Sequence, residues 1–144
     1  MTSDGISTED WDRVHELALN IVNAIDGEDQ APYDELFSYL AHLRSKYGER
    51  ASILATEGDY ADNPREAERL YVMAFNIAAA AGDIANVREI ALSLAYLHAN
   101  AIKDAAAASR WLEIAAPNIT AADLQSTAEY ASIQEDIEQL RRLS

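Results

Sequence analysis

The sequence predicts an all-α fold, an α-α superhelix of about seven helices arranged as three hairpins and a C-terminal capping helix. Hydrophobic residues make up 49% of the chain but aromatic residues only 8%, because much of the apolar content is alanine, the best helix former. The five glycines and three prolines stand singly, where helices should begin or end. Between them, apolar residues recur at spacings of three and four. A length of 144 residues fits one domain over 1–144.

The first hairpin is predicted from two apolar stripes. Ser7 or Thr8 should cap the first helix, and the acidic turn 26–29 should end it. Pro32 suits the first turn of the second helix, since it has no N–H to leave unpaired, and Gly48 should end that helix. The stripes expected to be buried consist of Trp11, Val14, Ala18, Ile21 and Ile25 in the first helix and Leu36, Phe37, Leu40 and Leu43 in the second.

The second hairpin should contain a short third helix and a longer fourth one. The third helix is expected to run through Ile53 to Gly58. Asn63 should cap the fourth helix, with Pro64 in its first turn, and Gly82 should close it. The hairpin is therefore bounded by residues whose backbone preferences suit helix ends.

The third hairpin and the capping helix complete the predicted array. Asp83 should cap the fifth helix, whose apolar residues fall on more than one face, as in a helix packed between neighbours. The sixth helix should span Ala105–Ala115 and stop at Pro117. Thr120 should open the last helix, with Asp123 three residues later. The outer face of that helix is polar, which suits the end of a repeat array.

Two of the hairpins repeat a pattern of small and aromatic residues. Ala67 and Tyr71 in the fourth helix correspond to Ala107 and Trp111 in the sixth, forty residues later. A single helical hairpin of this kind cannot bury its apolar face alone, so neighbouring hairpins have to stack. The repeat therefore predicts an array.

The run Gly58-Asp59-Tyr60 precedes the first copy of this pattern. With this run and the repeated alanine and aromatic positions, the chain resembles the tetratricopeptide-repeat superfamily over about residues 50–117. The resemblance implies a right-handed α-α superhelix in which the first helix of each hairpin lines a concave surface. It also implies a role in binding other proteins.

The charge of the chain limits its partners. The formal net charge is −14 at pH 7, whereas nucleic acids and anionic membranes bind proteins through lysine and arginine. Such a charge attracts a cationic protein and speeds their encounter, although acidic residues also keep a protein soluble. Cysteine is absent, which excludes disulfides and thiolate chemistry. There is no secretory signal pattern and no apolar run long enough for a membrane span, so we expect a cytoplasmic protein.

Residues suited to catalysis or metal binding do not form recognisable sites. His15, His42 and His98 lie in different hairpins, and none is followed by a second histidine or a carboxylate at three or four residues. The acidic turn beginning at Asp26 lacks the glycine and the bidentate glutamate of an EF-hand loop. There is no glycine-rich phosphate loop and no nucleophile elbow. We therefore expect no cofactor, no metal and no enzymatic activity.

These observations favour a non-catalytic protein-binding module that binds and masks a basic protein, such as an immunity or inhibitor protein neutralising a toxin or nuclease. The alternative is a general adaptor or secretion chaperone that holds an extended peptide, and a third interpretation is an enzyme with an unrecognised acidic site. Trp11 and Trp111 are expected to pack in the core, whereas Tyr60 should be partly exposed. The candidate partner-binding residues are Asp12, Glu16, Asn20, Glu49, Thr56, Asp59, Tyr60 and His98.

Overall fold

A computed structural model describes residues 1–25, 27 and 29–143. Over these residues the protein is all-helical, with seven α-helices and no strand, which confirms the predicted all-α class and the predicted number of helices. The helices are α1 (Thr8–Val22), α2 (Ala31–Tyr47), α3 (Ala51–Asp59), α4 (Pro64–Ala80), α5 (Ile84–Leu97), α6 (Ala105–Ala115) and α7 (Leu124–Arg142). A π-helical turn follows α5 at His98–Ile102, and a 3₁₀ turn follows α6 at Ala116–Asn118.

Side chains cap the helices at the positions that the sequence predicts. Ser7 Oγ accepts a hydrogen bond from the Asp10 N–H at 3.1 Å at the start of α1. Asn63 Oδ1 accepts one from the Glu66 N–H at 2.9 Å at the start of α4. Asp83 Oδ1 accepts one from the Asn86 N–H at 3.2 Å at the start of α5. Each cap satisfies a backbone donor that the first helical turn leaves unpaired.

Two predicted helix ends are wrong. The first helix ends at Val22, before the acidic turn, and Ile25 is fully exposed at 105% instead of continuing the buried stripe. Asp26 and Glu28 of that turn lie outside the described residues. The last helix begins at Leu124 with Asp123 as its cap, not at Thr120.

Helices that are close in the chain pack against each other. Contacts join α1 with α2, α3 with α4, α5 with α6, and α6 with α7. Contacts also join α4 with α5, and they link the odd-numbered pairs α3 with α5 and α5 with α7. Each helix therefore contacts its near neighbours along the chain, and successive helix pairs also contact each other.

The buried apolar residues form three clusters along this series of helices. The first cluster lies between α1, α2 and Ile53 of α3, and the second joins α3, α4 and α5. The third joins α5, the π-helical turn, α6 and α7. Helix α5 contributes Ile90 and Leu94 to the second cluster and Ala91 and Leu92 to the third. The prediction that this helix is packed between neighbours is confirmed.

The π-helical turn ties the end of α5 to two other helices. Its first residue, His98, has its Nε2 atom 2.9 Å from Glu68 Oε2 of α4. Asn100 Nδ2 donates a hydrogen bond to Asp136 Oδ2 of α7 at 3.0 Å. Lys103, at a φ of 67°, reverses the chain after the turn.

No helix in the described part of the chain has the length and apolarity required to cross a bilayer.

Candidate functional site: a groove along the odd-numbered helices

Two depressions follow one another across α1, α3, α5 and α7. The N-terminal depression has a volume of about 540 Å³ and is lined by residues of α1, α3, α5 and the segment before α1. The C-terminal depression has a volume of about 650 Å³ and is lined by the end of α3, the start of α4, α5 and α7. Asp59 and Ser93 line both. The two depressions therefore meet at these residues, and we call them together the groove.

The carboxylate at this junction is held by a close contact between α3 and α4. A Cβ atom added at Gly58 would lie 2.8 Å from Cε1 of the Tyr71 ring, so only glycine leaves room for that ring. The Tyr71 hydroxyl donates a hydrogen bond to Asp59 Oδ1 at 2.5 Å. The Gly58-Asp59 pair of the repeat pattern thus positions an acidic group inside the groove.

The charged side chains that line the groove are acidic. The five carboxylates among its lining residues are Asp12, Asp59, Asp62, Glu89 and Glu129. Neither lysine nor arginine occurs among the described residues that line it. The N-terminal ammonium of Met1 reaches the N-terminal depression, where it donates a hydrogen bond to the Thr8 hydroxyl at 2.7 Å.

Burial, followed by neighbouring negative charge, raises the pKa of two carboxylates of the groove. Burial raises the pKa of Asp59, the hydrogen bond from Tyr71 opposes this, and the negative charge of Glu89 adds to it. Desolvation also raises the pKa of Glu89; the Arg88 guanidinium opposes this, and the negative charge of Glu129 adds to it. A cation placed beside Asp59 and Glu89 would relieve this repulsion, and by linkage it would lower the pKa of these two carboxylates.

Aromatic and apolar side chains share the groove with the acids. In the N-terminal depression, Trp11 is half-buried and meets His15 edge-on, with ring centroids 6.1 Å apart. Tyr60 is half-buried beside it, as the sequence predicts. In the C-terminal depression, Tyr96 is 58% exposed. The groove therefore offers both charge and apolar surface to a ligand.

The two tryptophans differ in their surroundings. Trp111 packs between the second and third clusters and meets Phe75 edge-on at 5.1 Å, which confirms its predicted place in the core. Trp11 packs against the first cluster, but it also lines the N-terminal depression. Part of its ring is therefore available to a ligand.

The structure brings half of the predicted contact residues together. Asp12, Thr56, Asp59 and Tyr60 all line the N-terminal depression. Three other predicted contact residues lie outside the groove. Glu16 is exposed and lies 2.9 Å from Arg13, Asn20 is exposed farther along α1, and Glu49 pairs with Arg44 at 2.8 Å.

Two predicted contact residues are buried. His98 is 4% exposed and its ring faces Glu68, so this candidate contact residue does not line the groove. It follows Tyr96 by two positions, which on a helix places it on nearly the opposite side from that groove residue. Thr56 is 9% exposed, and its hydroxyl donates to the Ser52 carbonyl at 2.9 Å, so it contributes only to the wall of the depression.

Sequence reasoning missed the contribution of α5 to the groove. Ala85, Glu89, Ser93 and Tyr96 all line it, and their spacings of four, four and three place them on one helical face. The sequence contains this stripe, but it does not show that the neighbouring helices leave this side of α5 open. The stripe was overlooked because α5 has apolar residues on several sides, and these predicted burial without showing which side remains open.

The groove combines carboxylates with aromatic side chains. No group of three or more histidine, cysteine or acidic side chains suited to a metal ion occurs among the described residues. Its carboxylates are instead distributed over four helices and the loop after α3, next to aromatic side chains. Such an arrangement can pair with several cationic side chains of one ligand.

Comparisons with known proteins leave the family of the chain open. No protein-family model, no curated protein and no solved structure gives a significant match. Any function therefore has to be argued from the groove itself.

Proposed function

We propose that this chain is a non-catalytic protein-binding module whose acidic groove binds and masks a basic region of a partner protein. The observation that carries the proposal is the groove lining, which has five carboxylates and, among the described residues, neither lysine nor arginine. A surface of one sign, set in a concave shape, concentrates its field on a ligand of the opposite sign. Masking a toxin or nuclease would cover the cationic groups that it needs to engage phosphate, as expected of an immunity or inhibitor protein.

A tetratricopeptide-like superhelical layout is part of the proposal. In such a layout, the first helices of successive hairpins form one concave face. In support, the groove is lined mainly by α1, α3, α5 and α7, which are the first helices of the three pairs and the C-terminal helix. The contacts of α5 with both α3 and α7 are those expected of neighbours on such a face.

Charge alone gives this module little affinity. An exposed ion pair contributes about 0–1 kcal/mol, so the acids act mainly on the rate of encounter and on the choice of partner. The exposed Tyr96 and the half-buried Trp11 supply apolar area that can be removed from water on binding.

A second candidate function is a general adaptor or secretion chaperone that holds an extended peptide. The continuity of the groove through Asp59 and Ser93 favours it, because a single chain lying across the helices would pass both depressions. Both functions use the same groove, but for the adaptor or chaperone its shape and apolar pockets matter more than its charge.

Charge reversal tests the proposal. The variant Glu89→Lys/Glu129→Lys reverses two groove charges, and Glu113→Lys with Glu135→Lys is the matched control, since it makes the same change in net charge at residues outside the groove on α6 and α7. The probe is a fluorescent arginine-rich peptide, and its association rate is measured from low to high salt. We expect the groove variant to slow association by about tenfold or more at low salt, with little effect in the control. Equal rates in both variants, or a rate for the unmodified protein that salt does not change, would contradict the proposal.

A further inference from the structure

We infer, building on the proposed function, that the groove takes an extended basic segment in which a lysine or arginine side chain lies at the junction and a neighbouring apolar side chain enters the C-terminal depression. The net charge of the chain favours a basic ligand, but it does not specify which other side chains the ligand carries. It rests on the different character of the two parts of the groove.

The junction is suited to a cation. Asp59 is held in place by the Tyr71 hydroxyl at 2.5 Å and lines both depressions. Glu89 is near enough for its charge to act on Asp59, and Glu129 acts in the same way on Glu89. One ammonium or guanidinium group placed here would be attracted by several carboxylates at once.

The C-terminal depression is suited to an apolar side chain. Its volume of about 650 Å³ falls within the range of roughly 300–1,000 Å³ that is typical of ligand pockets. Its floor consists of the buried side chains of Ala67, Leu92 and Ile133 and the half-buried side chain of Leu97, and Tyr96, with 58% of its surface exposed, supplies most of the apolar area open to a ligand. A ligand with only charged side chains would leave this surface in contact with water, so an apolar group in the ligand adds affinity.

An extended segment fits the order of these features. Successive side chains of an extended chain point in different directions at about 3.3 Å intervals, so neighbouring residues can supply the cation and the apolar group. Asn63, Ser93 and Ser132 also line the C-terminal depression, where their polar side chains can meet the main chain of the ligand. The acids around the rim exclude an apolar segment that carries negative charge.

A set of three short synthetic peptides tests this composition. The first contains arginines with leucines between them, the second replaces the leucines with serines, and the third keeps the leucines and replaces the arginines with glutamines. Binding to the full chain is measured by fluorescence anisotropy. We expect the first peptide to bind about tenfold or more tightly than either of the others.

Variants of the protein locate the apolar contact. Tyr96→Ser should weaken binding of the arginine–leucine peptide by about tenfold and leave binding of the arginine–serine peptide nearly unchanged. Ile84→Ser is the matched control, because Ile84 is 61% exposed on the same helix but lies outside the groove. Both replaced residues are exposed, and circular dichroism checks that the variants remain folded.

The outcomes separate this inference from the proposed function. If the arginine–serine peptide binds as tightly as the arginine–leucine peptide, the inference is overturned while the basic-partner proposal stands. If none of the arginine peptides binds the unmodified protein, both are overturned. An equal loss from Tyr96→Ser and Ile84→Ser would also overturn the inference, since it would show that the contact is not in the groove.

Discussion

At the residue scale, the contact between Gly58 and Tyr71 determines where an acidic group of the groove lies. A Cβ atom at position 58 would approach two ring carbons of Tyr71 at 2.8 and 2.9 Å, and the ring is fixed at its far end by the hydrogen bond to Asp59. We expect Gly58→Ala to destabilise the fold by about 1–3 kcal/mol, because overpacking outweighs a gain in helix propensity of up to about 1 kcal/mol. Urea denaturation of the variant measures the change.

The background Tyr71→Ala provides the control for this prediction. Without the ring, the alanine at position 58 meets no obstacle, so Gly58→Ala should be neutral or stabilising there. The difference between the two backgrounds is the coupling energy of the contact. Equal effects in both backgrounds would show that the ring is not the reason for the glycine.

A second single residue, Asp10, fixes α1 against α2. Its Oδ2 atom accepts hydrogen bonds from Lys46 Nζ at 2.8 Å and from the Tyr47 hydroxyl at 2.5 Å, and its Oδ1 accepts one from the Tyr39 hydroxyl at 3.2 Å. The hydrogen bond from Lys46, followed by that from Tyr47, lowers the pKa of Asp10 far below its ordinary value of 3.8. The folded state therefore favours the charged carboxylate.

The sign of this pKa shift gives a pH-dependent prediction. Because the folded pKa is depressed, the stability it contributes is complete well above pH 3.8 and is lost as the pH falls below that value toward the folded pKa. We expect Asp10→Asn to lower the melting temperature at neutral pH, and the difference from the unmodified protein to shrink under acid conditions. Asp12→Asn, an exposed carboxylate on the same helix, should have little effect at any pH. If Asp10→Asn lowers the melting temperature by the same amount at neutral and at acid pH, the prediction is contradicted.

At the scale of helices, local signals were sufficient to predict most of the boundaries. The caps at Ser7, Asn63 and Asp83 act on backbone donors only three residues away, so the sequence itself contains both partners. The start of α7 was misplaced because Thr120 and Asp123 both fit a capping pattern, and only the longer chain context shows which one the helix uses. Ile25 was misplaced because an apolar stripe does not show where its helix stops.

The groove could be predicted only where one side of a helix is plainly polar. Asp12 on α1 and Asp59 with Tyr60 at the end of α3 met this condition. Helix α5 is packed on two sides, so its open side depends on which helices lie beside it, and the periodicity of one sequence does not contain that information. His98 was misplaced for the same reason, since it lies in the π-helical turn that faces α4.

At the scale of the whole molecule, the fold determines where the negative charges lie. The net charge of −14 is a property of the composition, but the placement of five carboxylates in one groove results from the packing of the helices around it. This packing places like charges close together, which costs stability in the unbound protein. The pKa values of Asp59 and Glu89 are raised mainly by burial, and the neighbouring carboxylates add to the rise.

This cost predicts that binding of a cationic ligand is coupled to the release of protons. The pKa of Asp59 and that of Glu89 are raised above their ordinary values of 3.8 and 4.5, and a bound cation should lower both. In mildly acidic solution, the carboxylates that are protonated in the free protein must ionise on binding, so affinity for the arginine–leucine peptide should rise as the pH increases above these ordinary values and then level off. Calorimetry in buffers with different heats of ionisation measures the released protons.

Variants at the junction indicate which carboxylate releases the protons. Glu89→Gln should reduce both the proton release and the pH dependence, whereas Glu113→Gln, outside the groove, should change neither. Tyr71→Phe removes the hydrogen bond that holds down the pKa of Asp59, so it should shift the rise in affinity to higher pH. His15 also lines the groove, and His15→Gln separates its contribution from that of the acids. An affinity that stays constant across this pH range, in a protein that circular dichroism shows to be folded, would mean that the groove carboxylates are not where the cation binds.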